Sequence, residues 1–417
     1  MMSLNFVNQK HANKSKLKPI LKGIVNFPKV VHEVYSCLKS RDILVEVDVD
    51  LEEVNSLGYD LYALNASYED NKWITKLSNL KNDEVLLSWE LAKKHFVQSN
   101  HITFKRSAVK SPILLKDGSL ILSNGGTNNL YKLNSESELV WVNREFRFHH
   151  SMNLDHNGDI WACVEGTTQK IDNTSFHYEE ALCKIDPNTG EIVYKKSLLD
   201  MFLENDLGYV YNYTHGTDLQ SHIDDLHHND VKPVLVDGDL QKKGDLWLSL
   251  RHRSMIVQYR PSTEKIIRVI QQDFYNQHNV EIHSDTKISF FNNNISFLYD
   301  HERLNKPSFF SLLPHSDSVN EYAEVVVYDL ESESFCSLYP NKFEHYQIYT
   351  FTQGKHYLLG NGDLFVEEWD TGKVYLFNEN EVLLEKYFNR PREDGYVGYP
   401  HWVRIYENLD FLDSTIL

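Results

Sequence analysis

The sequence predicts an all-β chain, a six-bladed β-propeller with a short N-terminal extension. Three observations carry the prediction. Aromatic residues make up 12% of the 417 residues, with 24 Tyr and 21 Phe, a composition that suits strands better than helices. A hairpin unit recurs along the chain, formed by a β-rich run, a turn of Asn/Asp-Gly type and a second β-rich run. The hairpins also come in pairs, and four strands per unit is the building block of a propeller.

The clearest copies are Ile113–Ser123, Met152–Val164 and Tyr357–Trp369. Each is followed by a second hairpin, at Leu130–Val142, Ala181–Ser197 and Val374–Tyr387. Two less regular units run over Lys243–Ile270 and over Val280–Asn294 with Ala323–Tyr339, and Gly58–Leu91 has the same rhythm. That makes six, and radial closure follows because isolated sheets leave exposed edges. Insertions near 200–226 and 297–321 are expected over the mouth of the central channel. The expected division is an extension over 1–56 and a propeller over 57–417. Within the extension, Asp42–Val54 reads as an acidic strand with an alternating apolar face. The sequence leaves open whether the extension packs on the propeller or pairs two copies as a homodimer.

Charge and cysteine content narrow the partners. With 42 Lys+Arg against 60 Asp+Glu the formal charge is −18, which argues against a phosphate-tracking nucleic-acid binder and against a protein held on anionic lipid by basic residues. No run of about 18 apolar residues occurs, so no membrane span is expected. The stretch Ile20–Tyr35 is broken by Lys22, Pro28, Lys29, His32 and Glu33, unlike the apolar core of a signal peptide. Cys37, Cys163, Cys183 and Cys336 are scattered. Together these features lead to an expectation of a reduced, cytoplasmic compartment.

The 20 His residues carry most of the functional information. Three His-bearing motifs open successive units, at Phe148–Gly158, Asp225–Val234 and Gln277–Asp285. Strand alternation groups His278 with Val280 and Ile282, and His227 with Asn229 and Val231. His278 stands seven residues before Asp285 and His150 seven before Asn157, which favours His150 over His149 as the matching residue. Inner propeller strands line the channel, so the three imidazoles are expected to converge. Arg251 adds a planar guanidinium suited to a tetrahedral oxyanion. Three imidazoles would also suit a divalent metal, but an arginine beside them disfavours one, so neither metal nor cofactor is expected. His156, His283, His301 and His315 are given no catalytic role.

At these motifs the sequence resembles the bacterial arylsulfotransferases that work without a nucleotide sulfate donor. The resemblance rests on the His-His pair at 149–150, the H-x-N segment His227–Asn229, the S-x-R-H-x-S segment Ser249–Ser254 and the Q-H pair Gln277–His278. Weaker elements are Gly58–Leu61 with Trp89, and Leu359–Leu364, so coverage runs from about residue 57 to 406. The resemblance implies a six-bladed propeller, with His278 as the nucleophile that takes the sulfuryl group. It also implies that His227, Asn229 and Arg251 contact the sulfate, and that His150, or its neighbour His149, is the further site histidine. Small-molecule aryl sulfates would be donors and phenols acceptors. The exported relatives carry a signal peptide and tend to show F-D-N-G after the Q-H pair, where this chain has FFNNN at Phe290–Asn294. Two other readings compete, a metal-dependent propeller lyase or hydrolase and a non-catalytic propeller that binds partners on its rim.

Overall fold

The computed structural model describes residues 44–46, 53–97, 103–170 (save 106 and 126), 176–212, 226–294 (save 273), 322–389 and 396–416. Six antiparallel sheets form the blades of a β-propeller. Blade one comprises Val109–Leu114, Leu120–Asn124, Leu130–Leu133 and Leu139–Asn143. Blade two comprises Arg147–Leu154, Ile160–Lys170, Phe176–Ile185 and Ile192–Ser197. Blade three comprises His228–Pro233, Leu246–Leu250, Met255–Arg260 and Lys265–Ile270. Blade four comprises His278–Ser284, Lys287–Asn292, Glu324–Asp329 and Ser334–Leu338, and blade five Lys355–Leu358, Leu364–Glu368, Lys373–Phe377 and Val382–Tyr387. Val54–Asn55 adds a fifth strand to the outer edge of blade five, and Leu44–Glu46 pairs with Tyr396–Gly398.

Blade six corrects the reading of Gly58–Leu91 as a whole unit. That stretch supplies three strands, Tyr62–Glu69, Lys72–Asn79 and Val85–Leu91, while the inner strand, Arg404–Tyr406, comes from the far end of the chain. A three-residue strand without a hairpin turn leaves little signature in sequence, so the ring closure was not visible there. Likewise Lys243–Ile270 holds three strands of blade three, and the fourth lies in the preceding His motif. The Ile20–Tyr35 segment, the 297–321 insertion, Cys37, His301 and His315 lie outside the described residues.

Burial follows position in the blade. The second strand of blade three, LWLSL, is buried at every residue, because a neighbouring blade covers each face. Its outermost strand, KIIRVI, alternates between more and less exposed positions, as a half-covered strand should. Apolar side chains collect into six clusters, one between each pair of adjacent blades. Trp73 and Trp89 of blade six, for example, pack with Leu120, Leu122 and Tyr131 of blade one.

The inner strands are also laced together by polar groups. Ser111 Oγ accepts from Met152 N (3.3 Å), Ser151 Oγ from Val231 N (3.0 Å) and Asp230 Oδ2 from Val280 N (2.6 Å). Asn279 Oδ1 accepts from His356 N (2.8 Å) and Glu367 Oε2 from Val403 N (2.8 Å). The ring closes where Ser111 N donates to the His401 carbonyl (3.3 Å) and Arg404 reaches Pro112 O (2.9 Å) and Met152 O (2.7 Å). Each bond gives a partner to a backbone group at the channel wall that would otherwise be buried without one, and so fixes neighbouring blades around the channel.

Candidate active site

The His motifs open the inner strands of blades two, three and four, but strict alternation fails there. Pairing register shifts between His149 and Met152, between His228 and Asp230, and between His278 and Val280. A residue in left-handed backbone stands at or beside each shift, with φ of 53° at His150, 52° at His227 and 50° at Asn279. The face groupings expected from a period of two therefore do not hold, because a bulge inserts a residue and re-aims its neighbours.

The bulges bring the three imidazoles together. The His150 ring lies 4.9 Å from that of His227 and 6.0 Å from that of His278, centroid to centroid. Trp402, two residues before the blade-six inner strand, stands 5.8 Å from His150 and 6.3 Å from His278. His149 lies behind the cluster, its Nδ1 2.8 Å from that of His150 and its Nε2 3.7 Å from Glu165 Oε1. Of the adjacent pair, His150 is thus the one that meets the other two imidazoles.

His278 is fully buried, and its partners define its tautomer. The Asn293 amide donates to Thr350 O (2.9 Å) and Gln353 O (2.8 Å), which fixes Nδ2 toward those carbonyls and Oδ1 toward His278 Nδ1 at 2.8 Å. An amide oxygen only accepts, so Nδ1 carries the proton. Gln353 N donates to Nε2 at 3.2 Å, so the lone pair is on Nε2. Burial holds the His278 pKa well below its ordinary 6.5; the Arg251 charge adds to this, with smaller contributions from His227 and Lys110, against the opposing bond from Asn293. Burial, Lys110 and the adjacent imidazoles lower the His150 pKa in the same way. Both rings are neutral at pH 7.

Arg251 opens a short 3₁₀ turn, Arg251–Arg253, at the end of the second strand of blade three, where Arg251 N donates to His227 O at 3.1 Å. Its buried guanidinium donates through Nη1 to His252 Nε2 (2.9 Å) and through Nη2 to Phe351 O (3.3 Å). The His252 ring lies 4.5 Å from that of His227. Asn229 is buried and donates through Nδ2 to Gln277 O at 2.8 Å, while its Oδ1 has no hydrogen-bond partner among the described residues. Buried Glu180 of blade two accepts from Leu226 N (2.9 Å) and His228 N (2.7 Å), clamping the segment that carries His227. Among the described residues no group of three His, Cys, Asp or Glu is placed to hold a metal ion.

His252, Asn293, Trp402 and Glu180 are site residues to which the sequence reading gave no role. His252 stood inside a quoted motif, and Asn293 inside the FFNNN segment that looked like a departure. Trp402 and Glu180 carried no signal, since ring closure brings the first to the site and a neighbouring blade supplies the second. A cavity of about 680 Å³ between blades five and six is lined by Tyr68, Trp73, Phe388, Tyr399 and His401. His401 immediately precedes Trp402 in the chain, but none of His150, His227, His278, Arg251 and Trp402 lines this space.

The family model for arylsulfotransferases (ASST) matches residues 111–390, and the chain belongs to that family of aryl sulfotransferases. No curated protein matches the chain in sequence. Among solved structures, it is similar to a protein of unknown function from Bacteroides caccae, at 11% identity over 82% of this chain and 98% of that one (TM-score 0.49). It is also similar to a catalytically inactive virginiamycin B lyase from Staphylococcus aureus with quinupristin, at 11% identity over 81% and 88% of the two chains (TM-score 0.41). At this level of likeness neither structure bears on chemistry or substrate.

Proposed function

We propose that the protein transfers a sulfuryl group from an aryl sulfate ester to a phenolic acceptor in two steps, through a sulfohistidine at His278. The observation that carries this reading is a buried, neutral His278 whose lone pair lies on Nε2, in a cluster with His150 and His227 beside the Arg251 charge. A neutral imidazole is a competent nucleophile at pH 7. Nε2 attacks sulfur, the sulfur–aryl oxygen bond breaks, and the phenolate departs with its electron pair. The acceptor oxygen then attacks sulfur and the electron pair of the N–S bond returns to Nε2, which gives ping-pong kinetics.

Arg251 and the second N–H of the Asn229 amide hold the sulfuryl oxygens while charge redistributes. Proton delivery to the leaving phenolate, and proton removal from the acceptor, fall to a second imidazole of the cluster, His227 or His150.

The test is turnover of 4-nitrophenyl sulfate with phenol as acceptor. Absorbance of released nitrophenolate should depend on both substrates with parallel double-reciprocal lines. Unchanged turnover in His278→Ala would refute the reading.

A further inference from the structure

We propose that Asn293 and the Gln353–Gly354 turn form a seat for the His278 imidazole. In it Asn293 keeps the proton on Nδ1 throughout the transfer, and the Gln353 N–H passes from Nε2 at rest to a sulfuryl oxygen once the N–S bond has formed. The inference rests on His278 being the nucleophile.

Two independent bonds agree on the resting state, since Asn293 Oδ1 can only accept from Nδ1 and Gln353 N can only donate to Nε2. The turn that supplies this N–H is shaped for it. Gln353 and Gly354 both lie in the left-handed region, with φ of 64° and 93°. A Cβ on Gly354 would sit 2.5 Å from the ring of Phe291, the residue that pairs with His278 across the sheet. Only glycine fits there, and the turn rests directly against the nucleophile's own blade. Costly backbone of this kind persists where the surroundings hold it in place, often at functional sites.

The chemistry explains why the orienting group is an amide. When Nε2 forms the bond to sulfur and Nδ1 keeps its proton, the adduct is an N-sulfo-imidazolium, and its leaving group in the second step is neutral imidazole. If Nδ1 lost its proton, the leaving group would be an imidazolide anion, far harder to expel. The Asn293 oxygen accepts from Nδ1–H but has no charge with which to draw the proton away. A carboxylate at 293 would also face Thr350 O and Gln353 O, two acceptors that Asn293 satisfies as a donor.

The test pairs spectroscopy with kinetics. The protein is labelled with ¹⁵N-histidine, and the His278 ring signals are identified by their loss in His278→Ala. Wild type should show a protonated Nδ1 and a bare Nε2 at neutral pH, and Asn293→Ala should show mixed tautomers. Kinetically, Asn293→Ala and Gly354→Ala should each slow transfer to phenol about 10- to 100-fold, the usual cost of losing an outer-shell partner. The burst of nitrophenolate from the first step should survive in Asn293→Ala. A bare Nδ1 in wild type, or an unchanged tautomer in Asn293→Ala, would overturn the seat even if sulfuryl transfer occurs. The expected signature without any adduct at His278 would instead overturn the proposed function, and the transfer role of the seat with it.

Discussion

Replacing Arg251 with Gln should act on the reaction in two ways that one pH profile can separate. The guanidinium is buried, anchored on His252 Nε2 at 2.9 Å and Phe351 O at 3.3 Å, and it is the second-largest cause of the low His278 pKa, after burial. Loss of a charge-assisted hydrogen bond costs about 1.5–3 kcal/mol, or roughly 10- to 150-fold in kcat/KM. A fork that holds two sulfuryl oxygens brings the expected loss to about 10²–10³, that of an oxyanion donor. The second effect concerns the acid limb. His278 reacts when neutral, so kcat/KM falls as pH drops through its pKa, which in wild type lies well below 6.5. Without Arg251 that pKa rises, and the acid limb moves up toward 6.5. The assay is kcat/KM for 4-nitrophenyl sulfate between pH 5 and 9. A loss under about threefold with an unmoved acid limb would refute the assignment of Arg251 to both tasks.

Other consequences concern the supports of the site and the fold. Glu180→Ala removes both acceptors of the Leu226 and His228 N–H groups, so kcat should fall at least about tenfold, the lower end for a lost supporting partner; an unchanged kcat would show that the clamp is not needed. Arg404→Ala breaks the closure onto Met152 and Pro112 and should cost about 3 kcal/mol of stability, given two charge-assisted bonds to backbone oxygens; an unchanged denaturation midpoint in urea would contradict this. Stability should also fall from pH 7 to pH 5. Burial holds His228 at about 4, His356 and His401 at about 3, and His150 and His278 well below 6.5. Their folded pKa values lie below the unfolded value, so their stabilising effect is present above about 6.5 and lost as pH falls toward the folded values. Glu367 and Glu368, raised to about 7, and Asp230, raised by burial above its ordinary value, pull the other way, but among the described residues they are three carboxyls against seven imidazoles, since His95 and His283 are lowered too. A Tm that stays flat or rises between pH 7 and pH 5 would show that the balance is wrong.

The sequence revealed the blades better than it revealed the site. Hairpins such as Ile113–Ser123 and Tyr357–Trp369 were legible because turn residues and strand alternation are local signals. The closing strand Arg404–Tyr406 was not, because its pairing with Tyr62–Glu69 spans the length of the chain. His150, His227 and His278 could be singled out as motif residues, yet the faces assigned to them assumed an unbroken period of two. The bulges at each motif depend on left-handed residues that periodicity does not reveal. Asn293, His252 and Trp402 were hidden for a related reason: each acquires its role through a partner in three dimensions, respectively the His278 ring, the Arg251 fork and two imidazoles from other blades.

The measurement that bears most directly on the account is mass analysis of the enzyme after brief exposure to 4-nitrophenyl sulfate without acceptor, with digestion under alkaline conditions that preserve N-sulfonated histidine. The account predicts a single sulfuryl group on the peptide containing His278, discharged when phenol is added and absent in His278→Ala. An adduct on another residue, or release of nitrophenol with no adduct while His278→Ala turns over normally, would contradict it.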